Sequence, residues 1–195
     1  MLTKSRVAII ATAGLLLLQA ASATQIARLS FEQLVDTSDL IFSGRVIRSW
    51  AAWDEHHKYI WTHYEVSVQS AQKGAPGPTV EMAEPGGALD GVVIGIAGTV
   101  VYTPGENVFV FLQRMPNGYL RTTGWGQGRY LVDAKGRIHA DSVLRGLEIV
   151  DARIPASASA PIRTPLTTLE GMSLSELGLR IAARARATAG AGSIR

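Results

Sequence analysis

The chain contains no cysteine. That excludes disulfides, thiolate metal sites, a cysteine nucleophile and lipid attachment through a thiol. Beyond residue 18 it also lacks any apolar run long enough to cross a membrane. No serine sits in a Gly-x-Ser-x-Gly elbow, and no His-Glu-x-x-His helix is present, so two common hydrolase signatures are missing. Gly124-Trp125-Gly126-Gln127-Gly128 is glycine-rich but lacks the Lys-Ser/Thr of a phosphate loop, and it precedes a strand pattern rather than a helix. No internal repeat is visible. A domain without disulfides has to rely on its hydrophobic core, which the apolar content of 47% over 195 residues can supply.

The one long apolar run lies at the start. Lys4 and Arg6 precede Val7 to Leu18, and Ala21-Ser22-Ala23 forms a small-x-small site. This is the pattern of a secretory signal peptide cleaved near Ala23, with a periplasmic or extracellular destination. Two of the 19 basic residues leave with that segment and no acidic one does, so 17 basic and 16 acidic residues remain. A net charge near zero speaks against nucleic acid as a partner. The expected organisation is a signal peptide over 1–23 and a β domain over 24–150. An Ala/Ser/Pro/Thr-rich linker over 151–172, a helix over 173–187 and a disordered tail over 188–195 follow.

The β domain is organised around a hairpin. In Ile60 to Val68, Ile60, Thr62, Tyr64, Val66 and Val68 alternate with Trp61, His63, Glu65 and Ser67. A period of two marks a half-buried strand, because successive side chains point to opposite faces. The preceding arm, Leu40 to Trp50, carries Gly44, which predicts a bend or a close backbone approach. Ser30 and Gln33 have capping-box spacing and predict a short helix over Phe31 to Val35. Asn107 to Leu112 is apolar on both parities, which predicts a central strand covered on both sides, the short helix being one cover. Thr103-Pro104-Gly105-Glu106 suits a type II turn, and Asn117-Gly118 suits a hairpin turn. Shorter strands are expected near Thr79 to Ala83, Tyr119 to Thr123, Arg129 to Val132, Arg137 to His139 and Leu144 to Val150, while Val92 to Ile96 and Thr99 to Tyr102 are apolar with Gly95 and Gly98 between them. Ser173 and Glu176 open the second helix with another capping box.

The fold class these elements predict is all-β. It is an OB-like antiparallel barrel of five or slightly more strands, with a short N-terminal helix and a peripheral C-terminal helix. Candidate contact residues cluster at the hairpin end. Trp53, His57, Trp61, His63 and Glu65 are the leading set, with Trp125 and Gln127 as a secondary pair in the glycine stretch. Exposed aromatics stack on sugars, bases or protein partners, although most large aromatics fill cores. His56, His57 and His63 are the only histidine cluster. Residues six apart on a strand are too distant to chelate one ion at about 3.3 Å rise each, so neither a metal nor another cofactor is expected. His139 with Asp133 or Asp141 is a candidate acid–base group, against which stands plain turn chemistry.

Ser38-Asp39-Leu40-Ile41-Phe42-Ser43-Gly44-Arg45-Val46, with a long second strand ending at Lys73-Gly74, resembles the start of netrin-like and tissue-inhibitor-of-metalloproteinase domains. The resemblance implies a five-stranded OB-type barrel. Leu29 to Leu34, Pro85 to Gly87, Pro104 to Glu106 and Gly124 to Gly128 are also similar to segments of a group of exported bacterial domains of unassigned function. Related segments can lie beside matrixin-type metalloproteases. The likeness spans about Leu29 to Val132. The inhibitors act through an amino-terminal cysteine, which this chain does not have.

Together these features point to an exported, non-catalytic binding or interaction module. Its partner would be an exported protein or a cell-surface ligand, a metalloprotease being one candidate. A metalloprotease-associated module or inhibitor is the first alternative. An unfamiliar hydrolase-type enzyme built on His139 is the second.

Overall fold

The computed structural model describes residues 25–140, 148–150 and 169–192. The expected signal peptide, Asp141 and all but the last four residues of the expected linker lie outside the described residues. None of the described helices is long and apolar enough to cross a membrane.

Ser30 opens helix α1, Phe31–Thr37, as its capping-box spacing requires: Gln33 N donates to Ser30 Oγ, and Ser30 N donates to Gln33 Oε1. The helix runs two residues past the expected Val35. Its last carbonyls are satisfied from outside, by Ser38 Oγ on Leu34 O at 2.7 Å and by Lys73 Nζ on Val35 O at 2.6 Å.

The strands are β1 (Gln25–Ala27), β2 (Leu40–Trp53), β3 (Ile60–Lys73), β4 (Thr79–Pro85), β5 (Gly87–Leu89), β6 (Val92–Ile94), β7 (Asn107–Arg114), β8 (Leu120–Thr122), β9 (Arg129–Val132), β10 (Ile138–Ala140) and β11 (Glu148–Val150). The main sheet is antiparallel and ordered β10-β9-β7-β2-β3-β4, with β8 pairing β7 beside β9. β5 and β6 form a separate ribbon. β1 and β11 form a short parallel pair.

β2 and β3 are each 14 residues long and pair along their whole length. Their register shifts at three places, one of them between Ser43 and Gly44. A Cβ on Gly44 would stand 2.4 Å from Ser67 O and 2.9 Å from Val66 Cγ1. The strand crosses its neighbour too closely there for any side chain, so the predicted bend falls on the residue that permits it. The curl gives the sheet an inner face of Phe42, Val46, Tyr64, Val66, Met82, Val108, Val110 and Leu112. Val100 and Tyr102 come from an irregular segment that caps this inner core.

The sheet is not closed into a barrel, which corrects that part of the expectation. The hydrogen-bonded path ends at β4 on one side and β10 on the other. Between β4 and β8 the link is a side chain: Thr122 N donates to Glu84 Oε1 at 2.8 Å.

β7 is central, as the doubly apolar pattern predicts. Val108 through Leu112 are all fully buried, with alternate residues facing opposite cores. The outer core holds Ile41, Phe109, Phe111, Tyr130 and Ile138, covered by Leu34 and Val35 of α1 and by Leu177 and Ile181 of helix α2 (Leu174–Gly192). α2 therefore packs on the sheet. It runs beyond the expected 187 because its alanines favour helix to the last described turn. Arg184 pairs with Asp36, tying α2 to the end of α1.

Candidate functional site: an aromatic row on the outer hairpin face

β3 begins only at Ile60, because residues 54–59 form the turn. Asp54 Oδ1 accepts from Lys58 N at 2.6 Å and from Tyr59 N at 3.1 Å. The Lys58 amide, above all, holds the Asp54 carboxyl below its ordinary range. His57 adopts φ 52 and stacks on Trp53, ring centroids 6.4 Å apart. Trp53 Nε1 in turn donates to Asp90 Oδ2 at 2.9 Å. Were the strand to begin before Ile60, His57 would share a parity with Trp61, His63 and Glu65. The turn breaks that parity, and the structure puts His57 with Trp53 instead.

Trp61, His63 and Glu65 do share one face, and β2 supplies their cross-strand neighbours. Glu65 accepts from Arg48 Nε at 2.5 Å, and the Arg48 guanidinium lies over Trp50, 4.6 Å from the ring centroid. Trp50 stacks on His63 at 5.4 Å and 13°. Tyr119 meets both His63 and Trp61 edge-on, at 5.4 and 5.1 Å. The Arg121 guanidinium lies over Trp61 at 5.8 Å and over Trp125 at 4.8 Å. The result is one continuous row, Arg48-Trp50-His63-Tyr119-Trp61-Arg121-Trp125. It brings together Trp61 and Trp125, which the sequence offered as separate candidates. Cation–π and edge-to-face contacts of this kind each contribute about 0.5–1.5 kcal/mol.

His63 is only 7% exposed and forms a hydrogen bond between Nδ1 and Glu81 Oε1 at 2.9 Å, so it is more wall than contact. Gln127 is not a surface residue at all. It is fully buried, its Oε1 accepting from Leu29 N and its Nε2 donating to Ala27 O, both at 2.9 Å. Its amide joins the turn to the segment before α1, and a group with both ends committed offers nothing to a ligand. Gly128, next to it, would place a Cβ 2.6 Å from Thr123 O and 2.9 Å from Phe111 O, an approach too close for any side chain.

Tyr119, Arg121, Trp50 and Arg48 were not among the expected residues of the site. The alternation of Tyr119 and Arg121 about buried Leu120 was a usable signal. Their convergence on Trp61 was not, because it depends on β8 lying beside β4 across the gap that Glu84 spans.

Comparison of the chain with protein-family models, curated proteins and solved structures found no match. What the row does has to follow from its own chemistry. Among the described residues, no group of three His, Asp or Glu side chains is placed to hold a metal ion.

The His139 candidate resolves differently. Its Nε2 meets Asp133 Oδ2 at 3.1 Å, and its Nδ1 meets Glu170 Oε1 at 2.8 Å. Asp141 lies outside the described residues. With a carboxylate on each ring nitrogen, His139 forms a clasp between Asp133 and Glu170. Glu170 belongs to the end of the expected linker, which is bound along β10: Ile138 N donates to Met172 O, and Gly171 N donates to Ile138 O. Asp133, then Glu170, raises the imidazole above its ordinary value. The Arg137 amide and His139 lower Asp133, and the Ala140 amide and His139 lower Glu170.

The signs follow from these directions. The imidazole's contribution to stability is complete below its ordinary value and is lost as pH rises through the raised one. The carboxylates' contributions are present above their ordinary range and are lost as pH falls through the lowered values. His139→Gln should therefore remove the alkaline-side fall in melting temperature that the unaltered protein shows above the ordinary imidazole range. Thermal melts of both proteins across that range check this. Parallel profiles would mean that the clasp does not contribute.

Proposed function

We propose that the chain is an exported, non-catalytic binding module on an OB-like sheet, and that it engages a protein or cell-surface ligand at the β2–β3 hairpin end. The observation that supports this is the aromatic row itself, with its partly exposed Trp50, Trp61, Tyr119 and Trp125. It borders a cleft of ≈ 340 Å³ lined by Asp54, Glu55, His56, Tyr59, Trp61 and Tyr119. Tyr59 is 49% exposed there. Trp, Tyr and Arg dominate the binding energy of protein surfaces because they offer large, stiff contact area with a polar edge. The curl at Gly44 and the enclosed inner core support the OB-like reading. Export rests on the first 23 residues.

Two substitutions test the surface. Tyr59 is half exposed and its ring meets the Lys58 ammonium, 5.2 Å from the centroid, so Tyr59→Ser should change the melting temperature little. Trp61→Ala should cost about 1–2 kcal/mol, for one aromatic pair and one partly exposed cation–π contact. Each should weaken capture of the partner from the exported fraction at least tenfold. In that fraction the processed chain should begin at Thr24. Capture unchanged by both variants would end the proposal, and a loss above about 3 kcal/mol for Trp61→Ala would make that residue core instead.

A further inference from the structure

The far end of the row carries a second cleft, of ≈ 510 Å³. Ile26, Leu29, Met115 and Trp125 give it an apolar wall, and Arg121 is the one cation among its lining residues. Trp125 is held at φ 60, directly after Gly124 at φ 64. A bulky side chain in the left-handed region is costly by about 1–3 kcal/mol and persists only where surrounding structure imposes it. Here it is imposed by the buried Gln127 amide and the close approach at Gly128, and the indole it presents lies against Arg121.

Arg121 is short of acceptors. Its side chain is 13% exposed. Among the described residues its only carboxylate is Glu84, at the long distance of 3.5 Å, and its buried Nε makes no hydrogen bond. Glu84 is a poor counter-ion. It is fully buried, and burial pushes its carboxyl above the ordinary range, toward the neutral form. Its better hydrogen bond goes to the Thr122 amide. A guanidinium cannot shed its charge, so the cleft combines an apolar wall with a cation lacking a full counter-charge. Pockets of this size that hold small molecules have this composition, mostly apolar with a few polar groups that fix orientation.

We propose that this cleft binds a small amphiphilic carboxylate, its anionic end on Arg121 and its apolar body against Trp125, Met115 and Leu29. The hairpin-end reading neither requires this nor follows from it. The test uses the full chain, with 3-phenylpropanoate and its uncharged amide as probes, followed by tryptophan fluorescence and titration calorimetry. The acid should bind saturably and at least tenfold more tightly than the amide. Arg121→Met should abolish that preference. Because Arg121 also touches Glu84, Met115→Glu is the second variant. Met115 is half-buried at the cleft, and a carboxylate there should weaken binding of the acid at least tenfold more than that of the amide, which loses only the apolar contact. Equal affinity for acid and amide, no saturable binding, or an acid affinity unchanged in Met115→Glu would each overturn the proposal.

Discussion

Val110→Asp is expected to yield no folded protein. Val110 is fully buried on β7 in the inner core, paired across β2 with Phe42 and across β9 with Arg129. Its side chain faces the same core as Tyr64, Met82 and Leu112. A carboxylate placed among them would be far from water. The cation across from it, Arg129, is already engaged by Glu106 at 2.6 Å; burying a charge without a counter-ion of its own costs several kcal/mol even after relaxation, and a domain of this size has only about 5–15 kcal/mol to lose. Val110→Ala is the matched control. It removes volume without adding charge, should cost about 1–3 kcal/mol and should still fold. Circular dichroism and limited proteolysis of the two variants distinguish them. A folded Val110→Asp protein with an unchanged melting temperature would mean that β7 is not the centre of the sheet.

The second large effect is expected at Gly44. Gly44→Val should destabilise the protein by about 3 kcal/mol or more, because the new Cβ would overlap a backbone oxygen rather than a movable side-chain tip. Ser67 O, at 2.4 Å from that Cβ position, belongs to the paired strand and cannot withdraw without breaking the β2–β3 register. Gly95 provides the internal comparison. A Cβ there meets nothing within 4 Å and its backbone angle is not positive, so Gly95→Ala should stay within about 0.5 kcal/mol of the unaltered protein. Urea denaturation of both variants decides the matter. Equal midpoints would remove the close approach, and with it the account of why the sheet curls.

The burial of Val110 and the close approach at Gly44 are unequally legible in the sequence. The burial of Val110 follows from the sequence, since NVFVFL has apolar residues on both parities and a strand so composed needs cover on both faces. Gly44 was legible only as a bend. Which backbone passes it, and at what distance, depends on the bulges that shift β2 against β3.

The sequence by itself determined whatever depends on neighbours within a few residues. The alternation from Ile60 to Val68, the Ser30–Gln33 cap, the Pro104-Gly105 and Asn117-Gly118 turns and the doubly apolar β7 all express local geometry, and each is in place. The tertiary structure decided what depends on long-range pairing. It left the sheet open between β4 and β8 with Glu84 across the gap. It buried Gln127 against the segment before α1, and it set carboxylates on both nitrogens of His139. It also lined up Trp50, His63, Tyr119, Trp61, Arg121 and Trp125 from four parts of the chain. The physical reason is that a strand's period of two fixes which face a residue takes, whereas the residues it meets on that face are fixed by register and strand order. Those are properties of the whole sheet, chosen by the packing of its two cores.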